Sequence, residues 1–176
     1  MTLELSAMRW LWLEQKCLTV LQERSPFYAM GQPDVLGVTK GRYLTEVEVK
    51  RSLSDFRADF KKTHRVNRSL HLPSHPRQFY YLVPPELVER VKPLLPDWAG
   101  LMTVGKFHVI EVLVRAPVNK ESKKLGPVAC ARLARMMTNH MMGYANSCNT
   151  WREQYRNHNC DGYVDWVEAE EGTYSI

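Results

Sequence analysis

The chain contains no run of 18 apolar residues, so it offers no segment long enough to span a bilayer as a helix. Its four cysteines, Cys17, Cys130, Cys148 and Cys160, form no CxxC pair and read as free thiols, mostly buried, in a reducing setting. Cys148, His158 and Cys160 lack the paired short spacing that zinc sites favour. Residues 1–9 lack a basic start running into an apolar stretch and a cleavage site, so no secretory signal is expected and a cytoplasmic location is. Internal repeats and low-complexity segments are absent as well. Disorder is excluded by a hydrophobic share of 44% against 24% charged residues.

What is present is enough for one domain. At this length a chain buries roughly 70% of its unfolded surface and needs neither disulfide nor structural metal to fold. Lys and Arg number 24 against 19 Asp and Glu, a net charge of +5 that is compatible with a polyanionic partner without establishing one. Apolar residues recur at three- and four-residue steps from Leu3 to Arg24, predicting a long first helix that Ser25-Pro26 ends. Leu3, Ala7, Trp10, Leu11, Cys17, Leu18 and Leu21 share one face of it, and Glu14 lies in the middle of that face, where a carboxylate is expensive unless paired.

Two β-prone runs, Asp34–Val38 and Tyr43–Lys50, flank the turn-like Thr39-Lys40-Gly41-Arg42 and predict a hairpin. Ser52-Leu-Ser-Asp55 reads as a cap opening a helix to about Val66, with Phe56 and Phe60 one turn apart. A loop at His71–Arg77, a strand at Gln78–Val83, a short helix from Pro84-Pro85 to about Lys92, and extended runs at Gly100–Val104 and Lys106–Arg115 follow. A second long helix is expected from Gly126 to Met142, closed by Gly143. That order predicts a mixed α/β layer fold, one domain over 1–176 with a core over 1–100 and a C-terminal helical elaboration over 101–176.

In the second hairpin strand Glu46, Glu48 and Lys50 alternate with Val47 and Val49, so the charged side chains share one face. A tight hairpin brings Asp34 beside Glu48. Two carboxylates at one end of a sheet make a hard-oxygen site suited to Mg²⁺ or Mn²⁺, and the Val49 carbonyl can add a ligand. Lys50, on the same edge, is placed to orient an attacking water or to stabilise charge developing on a phosphate. Glu46, farther from Asp34, reads as solvated or salt-bridged. A Glu-x-Lys strand alone is weak; an ordinary solvated strand face gives the same pattern.

Pro33-Asp34 followed by Glu48-Val49-Lys50, in the order helix, hairpin, strand, helix, strand, resembles the PD-(D/E)XK nuclease superfamily, whose restriction-endonuclease-like core is a mixed central sheet flanked by helices. The run Glu48-Val-Lys-Arg-Ser-Leu-Ser-Asp-Phe-Arg-Ala-Asp59, followed by Lys61-Lys62, is similar to MmcB-related bacterial and phage DNA repair proteins. The motif covers residues 32–62 and the core 3–83; beyond about Leu101 nothing is matched. The resemblance implies a Mg²⁺- or Mn²⁺-dependent phosphodiester hydrolase acting on DNA in repair or phage DNA metabolism. Asp34 and Glu48 would hold the metal, and Lys50 would serve the water or the scissile phosphate. Glu14 is the first-helix carboxylate that some branches use as a further ligand, and Asp59 and Lys62 fall at the rim of the site. Repulsion among Asp34, Glu48 and Glu14 predicts a raised carboxylate pKa or a cation requirement.

Lys61, Lys62, His64, Arg65 and Arg68 form the densest basic stretch, joined by Arg51 and Arg57. Such clusters neutralise phosphates without reading sequence, though a solubilising helix face has the same composition. Lys120, Lys123 and Lys124 form a second basic loop. Met136, Met137, Met141 and Met142 sit at helical spacing and read as core or as a protein-binding face, and Trp10 and Trp98 read as core. The alternatives are an inactive nucleic-acid-binding member of the same fold and a protein-interaction adaptor; no membrane partner is expected, and a homodimer is allowed.

Overall fold

The computed structural model describes residues 2–22, 33–61 and 74–158. It divides into two compact units, Met1–Met137 and Thr138–Ile176. The first carries a six-stranded mixed sheet with helices on both faces, in the order β1 (Thr19–Gln22), β2 (Val35–Val38), β3 (Leu44–Val49), β4 (Gln78–Leu82), β5 (Gly100–Val104), β6 (Ile110–Val114). β1, β2 and β3 pair antiparallel, β3–β4 and β4–β5 parallel, and β5–β6 antiparallel. The mixed α/β layer expected from the pattern is present, and the strands after residue 100 extend the same sheet.

The first helix is much shorter than its periodicity suggests. α1 covers Leu3–Arg9, capped by Thr2, and passes into a π-helical turn over Trp10–Glu14. The Gln15 N–H bonds the Trp10 carbonyl at 3.0 Å, one residue wider than the α pattern. Lys16 then adopts a left-handed φ of 53°, and the β-branched Thr19-Val20 run enters β1. Ala7, Trp10 and Leu11 pack with Val35, Val47, Val49, Tyr80, Leu82 and Met102 on one face of the sheet. Gly37 permits this approach: a Cβ there would lie 2.9 Å from the Cys17 sulfur and 3.0 Å from Leu11.

The opposite face is covered by α2 (Leu53–Asp59) and α3 (Val88–Val91), the latter between short 3₁₀ turns. Phe56, Leu87 and Val91 bury against Phe79, Tyr81, Val83 and Leu101. Ser52 caps α2 by accepting the Asp55 N–H at 3.0 Å, and Phe56 and Phe60 meet edge to face at 5.0 Å. α2 ends at Asp59 rather than near Val66, with Phe60 as its C-cap. Trp98 packs half-buried in the same cluster, against Phe79.

α4 runs from Pro127 to His158 and passes straight through Gly143, which does not end it. A glycine stops a helix only where the chain turns left-handed, and Gly143 has no positive φ. Leu133, Met136 and Met137 of its first part pack on Leu36, Val38 and Leu44. Met141 and Met142, in the second unit, are exposed. No helix among the described residues is long and apolar enough to cross a membrane. Cys17 and Cys130 are free thiols, burial pushing Cys17 up to about 11, while the Cys148, His158 and Cys160 side chains lie outside the description.

Candidate functional site

The hairpin register sets the site. Val35 pairs with Val47 in antiparallel β2–β3, so one step farther Asp34 stands opposite Glu48. Asp34 also closes the ladder: its Oδ2 accepts the Val49 N–H at 2.7 Å. The backbone of Lys50 continues the parallel pairing, donating to the Leu82 carbonyl at 2.9 Å. Strand alternation therefore puts Glu46, Glu48 and Lys50 on the α2 face, beside Phe79 and Tyr81, their neighbours on β4.

That face is dry. All six residues of β3 are buried, and Glu46 is fully so, which excludes the solvated of the two roles expected for it. Lys50 is only 3% exposed. Its ammonium lies 2.9 Å from Glu48 Oε1 and 3.1 Å from Asp59 Oδ1, with Asp55 farther off at 3.8 Å. Asp59 is fully buried at the end of α2 and accepts the Tyr81 hydroxyl at 2.9 Å through its other oxygen. Asp59 is thus in direct contact with Lys50 instead of standing at a rim.

Burial works against the Lys50 charge, but Glu48 and Asp59 outweigh it and hold the ammonium above the ordinary lysine range. Lys50 is a fixed cation, suited to stabilising negative charge and unsuited to taking a proton. Asp34 behaves oppositely: burial and the nearby Glu48 and Glu4 carboxylates push it up to about 6, against the lowering effects of the Val49 N–H and Lys50.

Glu4 is the carboxylate that α1 brings to this end of the sheet. It is buried in the first turn, and its Oε1 accepts from Arg51 Nη2 at 2.5 Å. Glu14, the expected first-helix ligand, is exposed and lines a different pocket with Arg9, Leu13, Phe107 and His108. The π turn is the reason Glu14 lies outside the site. Its wider repeat adds less rotation per residue than an α-helix, so Glu14 leaves the stripe where a uniform helix would hold it. Glu4 precedes Ala7 and Leu11 by three and seven positions, a signal present in the sequence. Tyr81 had no such signal, because the β3–β4 register is not written in either strand.

Arg51, Arg57 and Lys61 are exposed, with the Arg51 guanidinium engaged by Glu4. Lys62, His64, Arg65 and Arg68 lie outside the described residues. In the second basic loop Lys124 stands 5.8 Å from the Tyr43 ring centroid, which Arg77 approaches at 4.1 Å.

Whether this oxygen set suits a divalent cation turns on ligand number. Among the described residues no cluster of three or more His, Cys, Asp or Glu side chains has metal-binding spacing. Mg²⁺ commonly uses one or two carboxylates and keeps several waters, so Asp34 and Glu48 suffice in number. Asp34 is raised first by burial and then by the Glu48 and Glu4 carboxylates, and a cation would offset both by favouring its charged form.

No protein-family model matches the chain, and no curated protein matches it in sequence. The chain is similar to a solved structure, the SPO1766 protein of unknown function from Silicibacter pomeroyi, with 20% identity, 84% of each chain covered and a TM-score of 0.47.

Proposed function

We propose that the protein is a divalent-metal-dependent phosphodiester hydrolase acting on DNA. The observation that carries this reading is Asp34 opposite Glu48, with Lys50 next on the same face, at the end of a sheet entered in the order α1, β1–β2–β3, α2, β4. This order supports the reading because the sequence, with Pro33-Asp34 and Glu48-Val49-Lys50, resembles the PD-(D/E)XK superfamily. Asp34 and Glu48 would hold Mg²⁺ or Mn²⁺. A strand residue points its N–H and carbonyl to the same edge, so the Val49 carbonyl faces the edge where Asp34 accepts its N–H. The chemistry such an ion would supply there is Lewis-acid polarisation of the phosphate and a more acidic bound water. Lys50, locked as a cation, stabilises charge developing on the phosphate, and removing such a group costs about 10²–10³ in rate. Arg57 and Lys61, exposed on and just after α2, would supply sequence-independent phosphate contacts.

Incubating supercoiled and linear DNA with the protein and Mn²⁺, with and without chelator, tests this. Metal-dependent cleavage that Lys50→Ala removes is the expected outcome; no cleavage of any DNA form under any divalent cation counts against it.

One observation favours a second reading, a non-catalytic DNA-binding protein of the same architecture. Glu48 Oε1 is already paired with Lys50 at 2.9 Å. In that case DNA affinity survives Lys50→Ala and falls steeply with salt.

A further inference from the structure

Lys50 touches two buried carboxylates of different kinds. Glu48 lies two residues back on its own strand, beside Asp34. Asp59 lies across on α2, fully buried, with its second oxygen taken by the Tyr81 hydroxyl. Tyr81 is itself fully buried, its ring edge-on to Phe56 at 4.8 Å and to Phe79 at 4.9 Å. Asp59 is therefore fixed from two sides, by the end of α2 and by a hydroxyl on a wedged ring. Ser52, two residues after Lys50, caps the start of α2, and Asp59 is the last residue of that helix.

We propose that Asp59 and Tyr81 form a buried anchor that holds the Lys50 ammonium in place independently of Glu48, leaving Glu48 exchangeable. This rests on the proposed hydrolase reading for its purpose. A cation that draws Glu48 away from the ammonium removes one of its two buried carboxylate partners, and a buried ammonium with no remaining carboxylate partner is strongly disfavoured. Asp59 supplies that partner, so Lys50 keeps both its charge and its position when Glu48 turns to another ligand. Asp59 and Tyr81 are positioning residues: they act through Lys50.

The test is the side-chain ammonium resonance of Lys50 in full-length protein labelled with ¹⁵N-lysine, assigned by its loss in Lys50→Arg. Buried, hydrogen-bonded ammonium groups exchange slowly enough to be seen, whereas solvated ones are not. Glu48→Gln is expected to keep the signal at more than half its wild-type intensity, and Asp59→Asn to abolish it. Tyr81→Phe, which retains the carboxylate and the ring contacts, is expected to broaden it at least twofold and covers the case in which Asp59→Asn does not fold. Loss of the signal in Glu48→Gln, its survival in Asp59→Asn, or an unchanged line in Tyr81→Phe overturns the anchor. The readout needs neither metal nor cleavage. Uncut DNA with the expected signal pattern would defeat the hydrolase reading and leave the anchor standing. Where cleavage is seen, Tyr81→Phe should lower kcat about tenfold at unchanged KM.

Discussion

Glu4 and Glu14 flank the same helical segment, and they meet opposite fates. Glu4 is 7% exposed, paired with Arg51 and close enough to Asp34 to raise its pKa. Glu14 sits in solvent beside the β5–β6 turn, where Phe107 is 89% exposed. A uniform α-helix starting at Leu3 would carry Glu14 in the middle of its apolar stripe and Glu4 at the edge of it. The π turn at Trp10–Glu14 separates them, taking the second carboxylate out of the stripe. Charge becomes chemically consequential where it is buried among other charges, and only the Glu4 end of this segment meets that condition.

The largest effect expected at the buried end is from Lys50→Met. It strands Glu48 and Asp59 without their shared cation, and breaking a buried ion pair in this way costs about 3–5 kcal/mol. Urea unfolding at pH 7 measures it, and restoring much of the loss with Asp59→Asn in the same chain would show that the stranded charge is the cause. Next is Tyr81→Phe, which deletes the hydroxyl bonded to Asp59 and should cost about 1–3 kcal/mol in the same assay.

A pH series sharpens the comparison further. The folded Asp34 holds its proton up to about 6, whereas in the unfolded chain it releases it near 3.8. The folded state therefore binds the proton more tightly. The stability this contributes is complete below about pH 4, is lost as pH rises through about 6, and is absent above that. Asp34→Asn, whose amide oxygen can still accept the Val49 N–H, should remove this component of the slope. Glu4→Gln should shift the window toward lower pH by relieving repulsion on Asp34. Thermal melts at half-unit steps between pH 4 and 7.5 would show both, and a wild-type slope unchanged by Asp34→Asn would remove the electrostatic account. The smallest effect belongs to Glu14→Gln, expected to alter stability by less than about 0.5 kcal/mol and to leave the pH window where it is.

Much of the sheet's first half was legible in the sequence. The Thr39–Arg42 turn, the period-two alternation of β3 and the Ser52 cap each have a local cause, and together they bring Asp34, Glu48 and Lys50 to one place. What was hidden depends on contacts distant in sequence or on deviations from regular repeat. Glu46 and Asp59 look like surface charges because only the packing of α2 over β3 buries them. Tyr81 reaches Asp59 through a parallel register that no turn enforces. Helical periodicity continues past Glu14 in the sequence, yet Lys16 turns left-handed and the chain leaves for β1. Gly143 shows the converse, a stop signal that the longer helix ignores.

The claim that joins these observations is that Asp34 and Glu48 hold a catalytic cation beside Lys50. It is tested most directly by following Mn²⁺-dependent conversion of supercoiled plasmid by wild type and by Asp34→Asn, which keeps the size and the backbone bond of Asp34 while removing its charge. The account predicts cleavage by the wild type that chelator abolishes, and a loss of at least a hundredfold in the variant with its fold intact. Equal cleavage by the two proteins, or none by the wild type, would contradict it.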